Sequence, residues 1–227
     1  MSDYYSEKLS AKKLKKCYDI APPRVKQYLE AEFAYVLEYI KPDDRVLELG
    51  CGYGRVLSCL SSIDLSIYGI DTSLESLMMA KSFEPAGKHF HLANMDAGSL
   101  GFADNVFDVV LCIQNGISAI KINPEILLSE ALRVARPKGI IMFSSYSEKF
   151  WDERLNWFEL QSKEGLLGEI DYDATGNGVI VCKDGFRSDT FRPDDFIKLA
   201  NEFNLDVKIE EIDSSSIFCR FIVDKFF

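Results

Sequence analysis

Apolar positions along the chain follow two rhythms. "YLEAEFAYVLEYI" (28–40) places Leu29, Phe33, Val36, Leu37 and Ile40 at helical spacing and predicts an amphipathic helix, ended by Pro42 and Asp43. Five short and almost wholly apolar runs follow: "RVLEL" (45–49), "SIYGI" (66–70), "HFHLA" (89–93), "VFDVVLCI" (106–113) and "GIIMFSS" (139–145). They predict strands buried on both faces. Helices are predicted between them: Arg55 to Leu60, then one capped by Thr72 or Ser73 and running to about Lys81, then Pro124 to Ala135. Strands alternating with helices at this spacing predict βαβ units, and therefore an α/β fold with a doubly wound, mostly parallel sheet and helices on both faces.

The rhythm changes after Ser145. "EKFWDERLNWFELQSK" (148–163) predicts a helix, "GEIDYDATGNG" (168–178) a turn-rich stretch, and "VIVCKDGFRSDTF" (179–191) a hairpin around Asp184-Gly185. Pro193 to Phe203 predicts a further helix, with Asp194 and Asp195 at its positive end. Strands are predicted at 206–212 and 217–226. The step between them is too short for a crossover helix, so they must be antiparallel. Residues 146–192 then read as a small cap or insertion after the fifth strand, in which Trp151 and Trp157 supply a core of its own. The whole of 1–227 is expected to be one domain, with 1–28 as an N-terminal lid segment.

Composition narrows the function classes. Among 227 residues, 47% hydrophobic and 27% charged is the balance of a soluble globular chain. No apolar run approaches the roughly 20 residues of a membrane span, and the N-terminus lacks the pattern of a secretory signal. Six scattered cysteines without a C-x-x-C pair predict no metal and no disulfide framework, and a cytoplasmic setting. The formal charge of −10 disfavours nucleic acid as a partner. The lysines at 8, 12, 13, 15 and 16 are a local exception, read either as a solvated face or as part of an anion-attracting lid.

The chemistry concentrates at strand ends. Gly50, Gly52 and Gly54 follow the first strand and Glu48 precedes them. Glycines there let a ligand approach the backbone, and a helix starting behind them offers free N–H groups. The dinucleotide fingerprint is G-x-G-x-x-G; here the third glycine comes one residue early, and a carboxylate beside the loop suits a ligand bearing a positive group. Asp71 ends the second strand, where an acid can accept from two ribose hydroxyls or merely cap a helix. Asp96 follows the third, where it can accept from an exocyclic amine while the Ala97 N–H donates to a ring nitrogen, or can be a plain turn residue.

Taken in order, Glu48-x-Gly50-x-Gly52-x-Gly54, Asp71, Asp96, "FADNVFDVVLC" and "ALRVARPKGIIMFSS" resemble the class I S-adenosylmethionine-dependent methyltransferases over about residues 30–145. The resemblance implies a seven-stranded sheet whose last strand is antiparallel, and S-adenosyl-L-methionine as cofactor. It implies that Glu48, Gly50, Cys51, Gly52, Gly54 and Arg55 face the methionyl part. Asp71, beside Thr72, would hold the ribose, Asp96 with Ala97 would read adenine, and Ile113, Gln114 and Asn115 would line the floor near the sulfonium.

An activated methyl needs alignment rather than a nucleophilic residue, so the lack of a Ser/His/Asp set is expected. His89 and His91 alternate along one strand and read as structural. Tyr18, Arg24 and Tyr28 are candidates to reach the pocket from the N-terminal segment, and Arg24 or Arg55 to pair with the methionyl carboxylate. Tyr146, Trp151, Tyr172 and Arg187 are candidates to roof the acceptor, which makes an amine acceptor one option through cation–π attraction. Tyr18, Tyr28 and Tyr146 are the catalytic candidates. "CIQNGIS" lacks the Asn/Asp-Pro-Pro-Tyr of amino-directed enzymes and the Pro-Cys of cytosine-C5 enzymes. The leading expectation is a small-molecule acceptor. The alternatives are a protein or tRNA acceptor, a nicotinamide oxidoreductase, and a non-catalytic binding protein.

Overall fold

In a computed structural model, which describes residues 4–223, the strands β1 (Arg45–Leu49), β2 (Ser66–Asp71), β3 (Phe90–Asn94), β4 (Phe107–Cys112), β5 (Ala135–Tyr146), β8 (Val207–Ile212) and β9 (Ser216–Ile222) form one sheet in the order β3-β2-β1-β4-β5-β9-β8. β3, β2, β1, β4 and β5 pair in parallel. β9 is antiparallel to both β5 and β8, so β8 again points the way of the first five. The order of strands turns back between β1 and β4, which opens a crevice at their carboxyl ends.

Helices cover both faces. They are α1 (Tyr4–Lys8), α2 (Ala11–Asp19), α3 (Pro23–Leu37), α4 (Arg55–Leu60), α5 (Leu74–Ser82), α6 (Gly116–Ala119), α7 (Pro124–Val134), α8 (Trp151–Lys163) and α9 (Pro193–Glu202). Side chains alternate across a strand. Leu47 and Leu49 therefore join the core formed with α7 and α9, while Val46 joins the core formed with α3 and α4. The predicted hairpin is present as β6 (Ile180–Val181) against β7 (Arg187–Ser188).

Several boundaries move for physical reasons. α3 begins at Pro23 rather than Tyr28, because a proline is tolerated in a helix's first turn. Its buried face is wider than the predicted stripe and includes Tyr28 and Glu32, since it packs against both β8 and α8. β5 starts at Ala135: a register shift lets Ala135 pair with Phe107 before Ile140 pairs with Val109. The strand predicted at 217–226 is described to residue 223, and the rest lies outside the described residues.

The segment 146–192 does not build a core of its own. Phe150, Trp157, Phe158 and Phe186 pack in one cluster with Leu9, Cys17, Val25 and Tyr28, and Trp151 lies against it partly buried. One helix and a hairpin with two-residue strands cannot enclose that much apolar surface alone. Polar ties reinforce the junction: Trp157 Nε1 donates to the Cys17 carbonyl at 2.8 Å, Lys16 meets Glu164 at 2.8 Å, and the Tyr4 hydroxyl donates to Asp184 at 2.5 Å. α2 is fixed to the sheet domain through α5, where the Ala11 N–H donates to Ser76 Oγ at 2.9 Å and Ser10 Oγ donates to Glu75 at 2.9 Å.

Candidate active site

A cavity of about 450 Å³ lies at the carboxyl ends of β1, β2 and β4, beneath α1, α2 and α8. It falls within the size range of small-molecule sites. Its first wall is the loop after β1. The Cys51 N–H donates to the Ile70 carbonyl at 2.9 Å, which ties the loop to β2. Gly52 has φ of +53°, and a Cβ there would meet Leu14 Cδ2 at 3.0 Å. Gly54 has φ of +82°, and a Cβ would meet that of Ala80 at 2.8 Å. The positive φ disfavours a side chain at both positions, and at Gly54 the packing against Ala80 leaves no room for one either.

Three carboxylates border the cavity at three strand ends. Asp71 splits its oxygens, Oδ2 accepting from the Gly52 N–H at 2.9 Å and Oδ1 from the Ser73 N–H at 2.8 Å. Ser73 supplies the cap of α5. Asp96 Oδ1 accepts from the Gly98 N–H at 2.7 Å. Glu48 is the buried member. Desolvation pushes its carboxyl up to about 8, with Arg55 opposing and Asp71 assisting. Among the described residues Glu48 Oε2 has no hydrogen-bond partner, and Nε and Nη2 of Arg55 are equally without one. The Arg55 guanidinium lies 5.3 Å from the centre of the Tyr18 ring.

The floor after β4 is held in a left-handed conformation, with φ of +57° at Gln114 and +60° at Asn115. Non-glycine residues occupy that region only when their surroundings enforce it. The Gln114 N–H donates to Glu32 Oε2 at 3.0 Å and to Ser144 Oγ at 2.8 Å. Glu32 is fully buried and accepts from the Ser216 hydroxyl as well; burial raises its carboxyl to about 6. The Tyr18 hydroxyl donates to Gln114 Oε1 at 3.2 Å, while Gln114 Nε2 is buried with no partner.

Residues 47–143 match the family described as "Methyltransferase domain". The 2-methyl-6-phytyl-1,4-hydroquinone methyltransferase of Synechocystis sp. is 27% identical over 167 residues, 67% of this chain and 51% of that protein. A demethylmenaquinone methyltransferase of Beutenbergia cavernae is 35% identical over 127 residues, 54% of this chain and 50% of that protein. This chain thus spans about half the length of these curated relatives. A solved structure of a Pyrococcus horikoshii protein superposes with a TM-score of 0.70 at 18% identity, covering 98% of this chain and 99% of that one. Residues 47–143 thus match a methyltransferase family, and the fold is that of solved S-adenosylmethionine-dependent methyltransferases.

The sequence-predicted residues divide. Glu48, Gly50, Cys51, Gly52, Arg55, Asp71, Thr72, Asp96, Ala97, Ile113 and Gln114 all line the cavity, as do Tyr18 and Tyr146. Gly54 lies behind the loop at the start of α4. Asn115 is turned into the protein: its Oδ1 accepts from Ser145 Oγ at 2.7 Å and its Nδ2 donates to the Asp189 carbonyl at 3.0 Å. Tyr28 is fully buried behind the wall, its ring 5.5 Å from Tyr146 and 5.1 Å from Phe150. Arg24 is engaged by Asp213 at 2.5 Å, away from the cavity. Trp151, Tyr172 and Arg187 do not line it, whereas Trp157 does.

Sequence reasoning missed Tyr5, Leu9 and Leu14 above the cavity and Phe158 and Gln161 beside it. Leu14 carried a signal as the apolar residue amid the lysines of α2. Gln161, a polar residue within a helix pattern, carried none.

Proposed function

We propose that the protein transfers a methyl group from S-adenosylmethionine to a small-molecule acceptor by in-line displacement. The observation that carries this reading is the set of unpaired buried groups lining one cavity, Glu48 Oε2 together with Arg55 Nε and Nη2, along with a glycine loop and two further carboxylates. Orphaned buried polar groups are costly, and a ligand that pairs with them removes the cost. The amino-acid end of the cofactor has both: Glu48 would take its ammonium and Arg55 its carboxylate. Asp71 would hold the ribose hydroxyls, and Asp96 with the Ala97 N–H would read the adenine edge. The cofactor supplies a methyl already activated on a sulfonium, so the protein's task is to align and to exclude water.

Tyr18 and Tyr146 would border the acceptor. Burial pushes both hydroxyls up, Tyr146 to about 12 and Tyr18 well above its usual range, so at neutral pH they donate hydrogen bonds rather than act as bases. Tyr28, outside the cavity, drops out of the set. The 1–28 segment would serve as the lid, since α1 and α2 form the roof. A small acceptor is supported by that roof and by relatives named for hydroquinone and demethylmenaquinone substrates. The charge of −10 weighs against tRNA. A reducing, cytoplasmic setting belongs to the same reading and rests on the scattered thiols.

Isothermal calorimetry with S-adenosylhomocysteine and with NAD tests the donor half: heat with the first and none with the second is expected, and the reverse refutes it. Transfer from radiolabelled donor to a panel of phenols, hydroquinols, amines and carboxylates tests the rest. Donor binding without transfer to any small acceptor would favour a binding protein or a macromolecular substrate.

A further inference from the structure

A buried cation lies against two aromatic rings of the cavity wall. Tyr146 and Phe158 line the cavity, and the guanidinium of Arg154 lies 4.2 Å from the first ring's centre and 5.7 Å from the second's. Arg154 is 1% exposed. Its hydrogen bonds all go to neutral oxygens: Nη1 to the Gly178 carbonyl at 3.1 Å and Thr190 Oγ1 at 2.7 Å, Nη2 to the Ser188 carbonyl at 2.9 Å and Ser188 Oγ at 2.8 Å. Its Nε has no partner. The charged and titratable groups facing it are Tyr146, Tyr28, Tyr5 and Asp189. Asp189 is engaged elsewhere, by Arg187 at 2.6 Å and Lys121 at 3.5 Å. Glu32, which faces Tyr146, gives its oxygens to the Gln114 N–H and the Ser216 hydroxyl. A buried cation usually sits against a carboxylate. Here it sits against Tyr146, a ring of the cavity wall, and among the described residues no carboxylate accepts a hydrogen bond from it.

Resting on the methyl-transfer reading above, the geometry points to an acceptor that is an aromatic hydroxyl compound, a phenol or hydroquinol, bound as its oxyanion in the field of Arg154. The flat rings of Tyr146, Trp157 and Phe158 suit a planar acceptor. They do not suit an ammonium, because guanidinium groups already occupy faces of Tyr146 and Tyr18. No side chain on this wall can serve as a base at neutral pH, so the hydroxyl proton passes to water. An oxygen lone pair then forms the bond to the methyl carbon, while the pair of the breaking C–S bond stays on sulfur as a neutral thioether. Adding a van der Waals contact to the ring distance puts the oxyanion roughly 8 Å from the guanidinium. At an effective dielectric of about 20 the field favours ionisation some ten- to thirtyfold. A positioned charge of this kind costs no reorganisation during reaction.

4-Nitrophenol, whose oxyanion absorbs visible light, reads the field directly. Wild-type protein saturated with S-adenosylhomocysteine is titrated with the probe over pH, alongside Arg154→Met and Arg154→Lys. Burial alone would weaken the probe's acidity. The field makes the wild-type-bound probe at least tenfold more acidic than the Arg154→Met-bound one, with Arg154→Lys between. Should Arg154→Met fail to fold, by circular dichroism, the comparison stands on Arg154→Lys. Equal acidity in wild type and variants overturns the inference, as does absence of probe binding to the loaded protein. Calorimetry of S-adenosylhomocysteine on the same samples tells the two levels apart: no heat there sinks the donor reading, whereas heat without the acidity difference sinks only this one.

Discussion

Pairing of Glu48 with the donor's ammonium, as proposed, would make donor binding a proton-coupled event. In the free protein the Glu48 carboxyl titrates at about 8, because burial and Asp71 outweigh Arg55. At pH 7 about nine-tenths of the molecules therefore carry it protonated. An ammonium placed against Oε2 requires the ionised form, so binding of S-adenosylhomocysteine at pH 7 should release roughly 0.9 proton, and affinity should rise close to tenfold per pH unit from pH 6 until it levels above 8. Folding responds with its own sign. Between about 4.5 and 8 the unfolded state has lost this proton and the folded state retains it, so the folded state binds more protons and stability falls as pH rises. The slope is at most about 1.4 kcal/mol per pH unit from this group. Glu48→Gln removes both dependences and fixes the weak, low-pH affinity. Calorimetry in phosphate and in Tris at pH 7 measures the proton directly, since the two buffers take it up with different heats. Identical heats in both, with affinity flat from pH 6 to 8, would refute the pairing of Glu48 with the ammonium.

Other outcomes follow from the same geometry. Asp71→Asn loses the charge that receives the Gly52 N–H and that is proposed to hold the ribose, so affinity for S-adenosylhomocysteine should drop ten- to a hundredfold, about 1.4–2.8 kcal/mol; unchanged calorimetric affinity would contradict the assignment. Gly54→Ala combines a positive φ with a 2.8 Å clash against Ala80 and should cost about 2–4 kcal/mol in urea unfolding. A loss below half a kcal/mol would show that the loop has room to give. Ser76→Ala leaves the buried Ala11 N–H without its acceptor, at about 1–3 kcal/mol locally. Trypsin should then cut faster at the exposed Lys12 and Lys13, and S-adenosylhomocysteine should slow it; cleavage at the wild-type rate would mean that α2 is held by other contacts.

That the residues proposed for the donor share one cavity was legible because their places follow from backbone rules. A strand end, a run of glycines and an acid at each of the next two strand ends occupy fixed places in a doubly wound sheet, and Glu48, Asp71 and Asp96 line one cavity. The rest of the site depends on long-range packing. Arg154 and Glu32 are charged residues within amphipathic helices, where pattern alone places them in water; each is buried because a second layer of structure closes over it. Asn115 was misplaced because its left-handed backbone turns its side chain towards Ser145 and Asp189. Tyr28 lay within the predicted helix, yet only the packing of α3 against α8 puts it behind the wall rather than in it. The joint core of residues 4–28 and 146–192 was hidden because both partners are too small to suggest a core alone.

Every residue proposed to touch the donor's charged groups lies between 47 and 143, the stretch shared with the family, whereas Tyr18, Tyr146, Trp157 and Phe158 lie outside it. One chamber is thus written in two separately editable texts. On the proposed function, substitutions in the flanking text would redirect which molecule is modified while the supply of the transferable group stays intact. A lineage of such chains would be expected to diversify its products fastest where the stacked rings and Arg154 now stand, and to keep its fuel constant.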